Sequence, residues 1–435
     1  MTDPREQEDY PMAESHEQAM AGLTRRRFLQ VTGATGVAAF LAACAGGTGS
    51  SEPTANATDT GAASIIIPTP PPASPTASVA PTTKTVTGPL KFANWGAYID
   101  LTGKAADSGN YAPGSSPTIV DFQKKYSIQV DYEEKIDDNP SFLATITPAL
   151  STGVPTGWDL IVMTDSFAAE IISKGWAEQI DHANVPNCVK NLRTALQNQP
   201  WDANNDYHYP WQSGMTGIGY NKKSFAQNSI PAPTKLADLW TVDSSKVEFL
   251  TEARDTFGLT LLKLGKDPDP ATVTADDLQA VHDDIQPLVS KGLRFLGQGY
   301  LQYFGGNGVW ACFVWSGDLA NSGSADDLFV FPDEGTMIWT DNMLIPKGAQ
   351  NKYTAELMMN YVYDPAVAAN IADYVFYVSP VEGAADEIKK IDPGAATNPL
   401  LFPSADVVAK QHNFQFLSPE LEDKLNSLMA DLTGA

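Results

Sequence analysis

From Leu90 onward, short apolar runs alternate with helix-spaced segments, and the pattern occurs twice, which confines the chain to sheets sandwiched by helices. Residues 90–93 read as a strand leading into Asn94 and Trp95. Residues 118–126 carry helical spacing (Ile119, Val120, Phe122, Tyr126) behind Pro117, and residues 128–132 alternate as a second strand. A helix over 141–150, a strand over 158–162 and a helix over about 167–174 follow. Residues 101–116, rich in Gly, Ser and Asp, read as a surface insertion. The second half repeats this order with a strand at 247–250, helices at 254–264 and 275–288, and a strand at 309–315. An apolar run at 329–331, the turn Pro332-Asp333-Glu334-Gly335 and a strand-like run at 337–339 complete it. At 435 residues the chain exceeds one compact lobe, so two α/β lobes are expected.

Aromatic rings and carboxylates recur together at intervals along this framework. The clusters are Trp95 with Tyr98, Glu252 with Asp255, Trp315 with Asp318, Trp339 with Asp341, and Phe376 with Tyr377. Each aromatic-acid cluster is expected at or just past the carboxyl end of a strand, where open α/β sheets bind ligands. Ring faces attract ammonium groups and cover methylenes while carboxylates pin charged ends, so the clusters point to a cleft for a small, flexible organic cation. A plainer reading exists for each. A Trp beside a strand is ordinarily core, Glu252 and Asp255 suit the start of a helix whose dipole they offset, and Asp318 and Asp341 suit turn caps.

The charge balance is acidic, with 28 Lys and Arg against 52 Asp and Glu, and beyond residue 43 it is 24 against 46. That argues against nucleic acid and anionic membrane surfaces as partners and favours attraction of cations, although an acidic surface also serves solubility alone. Five scattered His, with no HxxxH and no CxxC, signal no metal site and no cofactor. No GxSxG, HExxH or Ser/His/Asp constellation marks an enzyme, although paired carboxylates such as Glu252 and Asp318 would serve a hydrolase.

The first 44 residues read as an address. The run Thr24-Arg25-Arg26-Arg27-Phe28-Leu29-Gln30 resembles a twin-arginine export signal, and residues 31–43 form an apolar stretch too short to span a bilayer. The sequence Leu41-Ala42-Ala43-Cys44 resembles a bacterial lipobox, with Cys44 the lipidated residue. Residues 1–43 are therefore expected to be a signal peptide. Residues 44–88, made of Thr, Ser, Ala, Pro and Gly, are expected to be a disordered tether holding the folded part roughly 35–40 Å from the lipid.

Nearly the whole stretch from Leu90 to about Leu432 resembles the polyamine-binding proteins of bacterial ABC importers, the spermidine/putrescine group of solute receptors. The match is carried by Phe92-Ala93-Asn94-Trp95, Trp158-Asp159-Leu160-Ile161-Val162, Trp211-Gln212-Ser213-Gly214-Met215-Thr216-Gly217-Ile218, Asp341-Asn342-Met343-Leu344-Ile345-Pro346 and Asn398-Pro399-Leu400. The resemblance implies a periplasmic-binding-protein type II fold, two α/β lobes with a ligand cleft and a hinge. It divides the chain into 89–213 plus 340–380 and 214–339 plus 381–435, with crossings near Ser213, near Trp339 and after Tyr377. It implies a monomeric, lipid-anchored receptor on the extracytoplasmic face that hands a polyamine to an ABC permease.

Carried over residue by residue, the resemblance gives Trp95, Tyr98, Glu252, Asp255, Trp315, Trp339, Asp341 and Tyr377 as ligand contacts. Asp318 matches an Asp of diamine-preferring members, and Gln415, reached across a gap, a late polar contact. Ser166 stands where spermidine-preferring members carry Tyr, whereas Glu252 and Trp339 look spermidine-like, so length selectivity stays open. Asp165 adds an acid at the same strand end. With Cys188 and Cys312 on different lobes, free buried thiols are expected. A sugar receptor or another organic-cation receptor of the same fold remains the alternative, the sugar receptor requiring fewer acids and more amides.

Overall fold

The computed structural model describes residues 84–102, 111–112, 114–297, 304, 308–321, 324–414 and 416–434. The signal and tether expectations, including Cys44, fall outside the described residues except at 84–88, and Gln415 lies outside them as well. Ten strands form one continuous sheet in the order β2-β1-β3-β9-β4-β7-β5-β6, with β10 (Gln411–His412) beside β9 and β8 (Asp327–Val330) beside β4. One end is a parallel unit of β1 (Leu90–Trp95), β2 (Val130–Ile136) and β3 (Leu160–Thr164). The other end is a parallel unit of β5 (Val247–Leu250), β6 (Arg294–Leu296) and β7 (Ala311–Trp315).

Two long strands, β4 (His208–Asn221) and β9 (Thr336–Leu344), run antiparallel to each other and join the two units. The carboxyl half of β9 pairs with β3, and the carboxyl half of β4 pairs with β7. Each strand therefore begins in one half of the sheet and ends in the other, changing over around Ser213 and Trp339. A third link is the bridge between Ser213 and Val378.

The first half carries α1 (Pro117–Tyr126), α2 (Asn139–Thr152) and α3 (Asp165–Ser173). The second carries α4 (Ala253–Lys263), α5 (Ala275–Val289) and α6 (Ser316–Asn321), and these are followed by α7 (Lys352–Val362), α8 (Pro365–Val375), α9 (Ala384–Ile391) and α10 (Pro419–Thr433). Local chemistry accounts for the helix starts. Ser116 accepts from the Ile119 amide with Pro117 at the first position of α1, and Asp138 accepts from the Ser141 amide ahead of Pro140 in α2. Thr274 and Asp277 form a reciprocal capping box on α5. In the core, Phe249 and Phe313 from adjacent strands stack at 4.0 Å.

Some expectations shift. Strand β2 starts at Val130 rather than 128, because Ser127 closes α1 in the left-handed region and the chain needs two residues to return. Residues 381–391 were expected in the second half, yet α9 packs on α8 and Leu192 bridges to Val381, so this segment stays beside the first half. Helix α10 does pack on the second half, against α5 and α4. Cys188 and Cys312 are buried free thiols. Among the described residues no helix is long and apolar enough to cross a membrane.

Candidate functional site

The strand ends of both half-sheets converge on one cavity. Its wall includes Trp95, Tyr98, Ser166, Glu252, Asp255, Trp315, Asp318, Trp339, Asp341 and Tyr377, residues from six separate stretches of the chain. Asp165 is not in the lining. Its carboxylate accepts from Asn342 Nδ2 at 2.8 Å, which directs it toward β9.

Three of the clusters follow strands, as expected. Trp95 ends β1, Glu252 and Asp255 lie just after β5, and Trp315 ends β7 with Asp318 in the helix behind it. The other two correct the expectation that every cluster marks a strand end. Trp339 and Asp341 lie in the middle of β9, at its changeover between half-sheets, and Tyr377 follows α8 through Phe376 at φ 58°. These positions are set by strand crossing and by a helix cap, neither of which leaves a strand-end signature.

Asp341, Asp255 and Asp318 are braced by rings or hydroxyls. Asp341 accepts from Tyr98 Oη at 2.9 Å and from Thr164 Oγ1 at 2.7 Å, and Asn139 Nδ2 in turn donates to Thr164 Oγ1 at 2.8 Å. Asp255 accepts from Thr216 Oγ1 at 2.7 Å and Trp315 Nε1 at 2.8 Å. Trp339 Nε1 donates to Thr216 Oγ1 at 3.1 Å, so one carboxylate fixes two indoles, Trp315 directly and Trp339 through the Thr216 hydroxyl. Tyr377 Oη donates to Asp318 Oδ1 at 2.7 Å, and the Tyr377 ring lies 5.3 Å from those of both Tyr98 and Trp339.

Two glycines make room for these rings. A Cβ on Gly214 would overlap the Trp339 indole, and one on Gly317 would come within 2.6 Å of the Tyr377 ring. Glu252 occupies the N-cap position of α4 but makes no capping bond, and its Oε1 is buried without a hydrogen-bond partner. Asp255 lies in the first turn of α4, so the dipole reading of these acids holds for position while their side chains serve the cavity wall. The Ser166 hydroxyl is likewise buried and unpartnered.

Burial sets the electrostatics. It pushes Asp341 up to about 7 against the opposing pull of the Thr164 and Tyr98 hydrogen bonds. It raises Glu252 to about 7, helped by the neighbouring Asp255 charge, and Asp255 to about 6 against its bonds from Trp315 and Thr216. Asp165, beside the cavity, is raised by burial to about 7. Several buried acids in one ring-walled cavity raise the local affinity for cations, because a bound cation restores the charged form of each acid it meets.

Sequence reading did not single out Asn139, Thr164, Phe167 and Arg254 as contacts, although all four line the cavity, and it did not pick out Thr216, which braces it from behind. Thr164 and Thr216 carried a signal as polar ends and interruptions of apolar strands. Asn139 carried none.

A family model described as bacterial extracellular solute-binding protein matches residues 157–411. The spermidine/putrescine-binding periplasmic protein 1 of Haemophilus influenzae is 28% identical over 68% of this chain and 79% of its own length. The putrescine-binding periplasmic protein PotF of Escherichia coli is 27% identical over 77% of this chain and 88% of its own. Among solved structures, the spermidine/putrescine ABC-transporter substrate-binding protein PotD of Streptococcus pneumoniae superposes with a TM-score of 0.62 at 21% identity. That match covers 79% of this chain and 98% of the neighbour, and it speaks for the fold.

Proposed function

This chain belongs to the bacterial extracellular solute-binding proteins, and we propose from that premise that it is the polyamine receptor of an ABC importer, binding a protonated di- or triamine and delivering it to a permease without catalysing a reaction. The observation that carries the reading is the pairing of ring faces with buried acids. Trp95, Tyr98, Trp315, Trp339 and Tyr377 share one cavity with Glu252, Asp255, Asp318 and Asp341. Rings cover the methylenes of a polyamine and attract its ammonium groups, while the carboxylates accept its N–H donors. A sugar would leave several of these acids buried without a counter-charge, which costs more than its hydroxyls return. The relatives named for spermidine and putrescine support the same ligand class.

The two half-sheets act as lobes, 89–213 with 340–380 and 214–339 with most of the remainder, moving about β4, β9 and the link at Val378. Asp341 and Tyr98 belong to the first, and Glu252, Asp255 and Trp315 to the second. One ligand meets both sets only when the lobes approach, so its binding energy favours closure. Export through the twin-arginine route and acylation at Cys44 place the receptor on the extracytoplasmic membrane face, at the end of its tether. Isothermal titration of residues 88–435 with putrescine, cadaverine, spermidine and spermine tests the proposal. Heat and saturation with at least one are expected, and no heat with any of the four from folded protein refutes it.

A further inference from the structure

Arg254 is out of place in a cavity for cations. Among the described residues it is the one basic side chain in the lining. Its charge is felt there, because it pulls Glu252 and Asp255 downward against the burial that raises them. An unscreened guanidinium in this position would oppose a polyammonium ligand. Two contacts take the guanidinium away from that role. Its Nη2 pairs with Glu422 on α10, with both side chains largely buried. Its Cζ lies 5.3 Å from the centroid of the Phe167 ring on α3, which belongs to the opposite half-sheet.

Glu422 comes from far along the chain, and its place is set by the docking of α10. Lys424 Nζ donates to Gln279 Oε1 at 2.8 Å, and His282 Nε2 lies 2.7 Å from Asp431 Oδ2, both tying α10 to α5. A first-turn acid on α10 would also serve the helix dipole, as Glu420 does at the same helix start. That role needs no contact with Arg254.

We infer that Glu422 is a positioning residue for cation binding: it neutralises Arg254 and steers the guanidinium over Phe167, so that the two halves are latched at the cavity wall by a cation that does not repel the ligand. The C-terminal helix thereby sets ligand affinity without touching ligand. The effect of removing Glu422 grows with ligand charge, because each added ammonium meets a guanidinium that has lost this paired carboxylate.

The test uses Glu422→Gln, Arg254→Gln and the double variant, each checked by thermal melting, and reads two quantities. In ligand-free protein, carboxyl 13C NMR titrations of Glu252 and Asp255 should move to lower pH in Glu422→Gln and to higher pH in the double variant. In calorimetry, Glu422→Gln should weaken putrescine binding on the order of tenfold and spermidine binding more. The double variant should recover most of the affinity while releasing ligand faster in stopped-flow, since the latch is gone. Equal weakening of both ligands, or a double variant as weak as Glu422→Gln, assigns Glu422 to stability and overturns the inference. Unmoved titrations overturn it too. This ligand arm rests on the polyamine reading of the cavity. If wild-type protein takes up no polyamine, that reading fails by itself, and the ligand-free titrations still decide the role of Glu422.

Discussion

Replacing Asp341 by Asn separates charge from architecture more cleanly than any other change in the cavity. The carboxylate accepts from Thr164 Oγ1 at 2.7 Å and Tyr98 Oη at 2.9 Å. An Asn in the same rotamer can keep its carbonyl toward Thr164, whose hydroxyl already accepts from Asn139, and turn its amide toward Tyr98, whose oxygen can accept. One hydrogen bond reverses direction and leaves the Tyr98 hydroxyl proton to turn into the cavity, so the fold should survive. What disappears is a charge-assisted bond to a ligand ammonium, worth about 1.5–3 kcal/mol. At pH 8 that predicts affinity lower by roughly 10- to 150-fold. Burial raises Asp341 to about 7, so at pH 5 the wild-type carboxyl must first give up a proton, which costs about 2.7 kcal/mol over two pH units. The advantage of wild type over Asp341→Asn should therefore shrink to within a few-fold at pH 5, with the titrations of Glu252 and Asp255 common to both proteins. Calorimetry with the best polyamine at pH 8 and pH 5 measures both ratios. Equal affinities at pH 8 would make Asp341 a brace for Tyr98 and Thr164 alone, and a ratio independent of pH would refute burial as the source of its raised pKa.

Ser166→Tyr places a ring where a buried hydroxyl has no partner, and should change the putrescine-to-spermidine affinity ratio in competition calorimetry; an unchanged ratio removes position 166 from length selection. Trp315→Ala removes a ring from one side of the cavity and frees Asp255 Oδ2 of a donor; affinity and ligand-induced compaction in small-angle scattering should fall together, whereas lost affinity with full compaction makes Trp315 a packing residue. Without ligand, Asp341, Glu252 and Asp255 have folded-state pKa values of about 7, 7 and 6, above their unfolded values. Such groups contribute stability that is full below about pH 4 and lost as pH rises through 6 to 7, so ligand should raise the melting temperature more at pH 8 than at pH 5. An equal shift at both pH values counts against the raised carboxyls. Cys44→Ser should release the protein from the membrane fraction or leave precursor unprocessed, and unchanged membrane association in fractionated cells removes the lipobox.

Local pattern was enough for the strands and helices whose burial is one-sided or whose ends are marked by caps. Residues 247–250 and 275–288 read directly as a strand and a helix, and they appear as β5 and α5 to within a residue. The ring and acid content of the cleft was legible for the same reason, since residue type is local information. Strand β4 was not legible as a strand: His208–Asn221 is buried along its whole length, so no alternation of polar and apolar residues marks it, and Pro and three Gly break its β propensity. Its burial exists only because β9, β7 and β8 close on it from segments about 90 to 130 residues away. The bracing of Asp255 by Thr216 and Trp315, the folding of Trp339 over Gly214, and the capture of Arg254 by Glu422 across 168 residues likewise depend on that packing. Sequence determined which groups this protein brings to a cation. Tertiary structure decided which acids are dried, which are paired and which face the ligand, because desolvation and hydrogen bonding are properties of neighbours that the chain acquires only on folding.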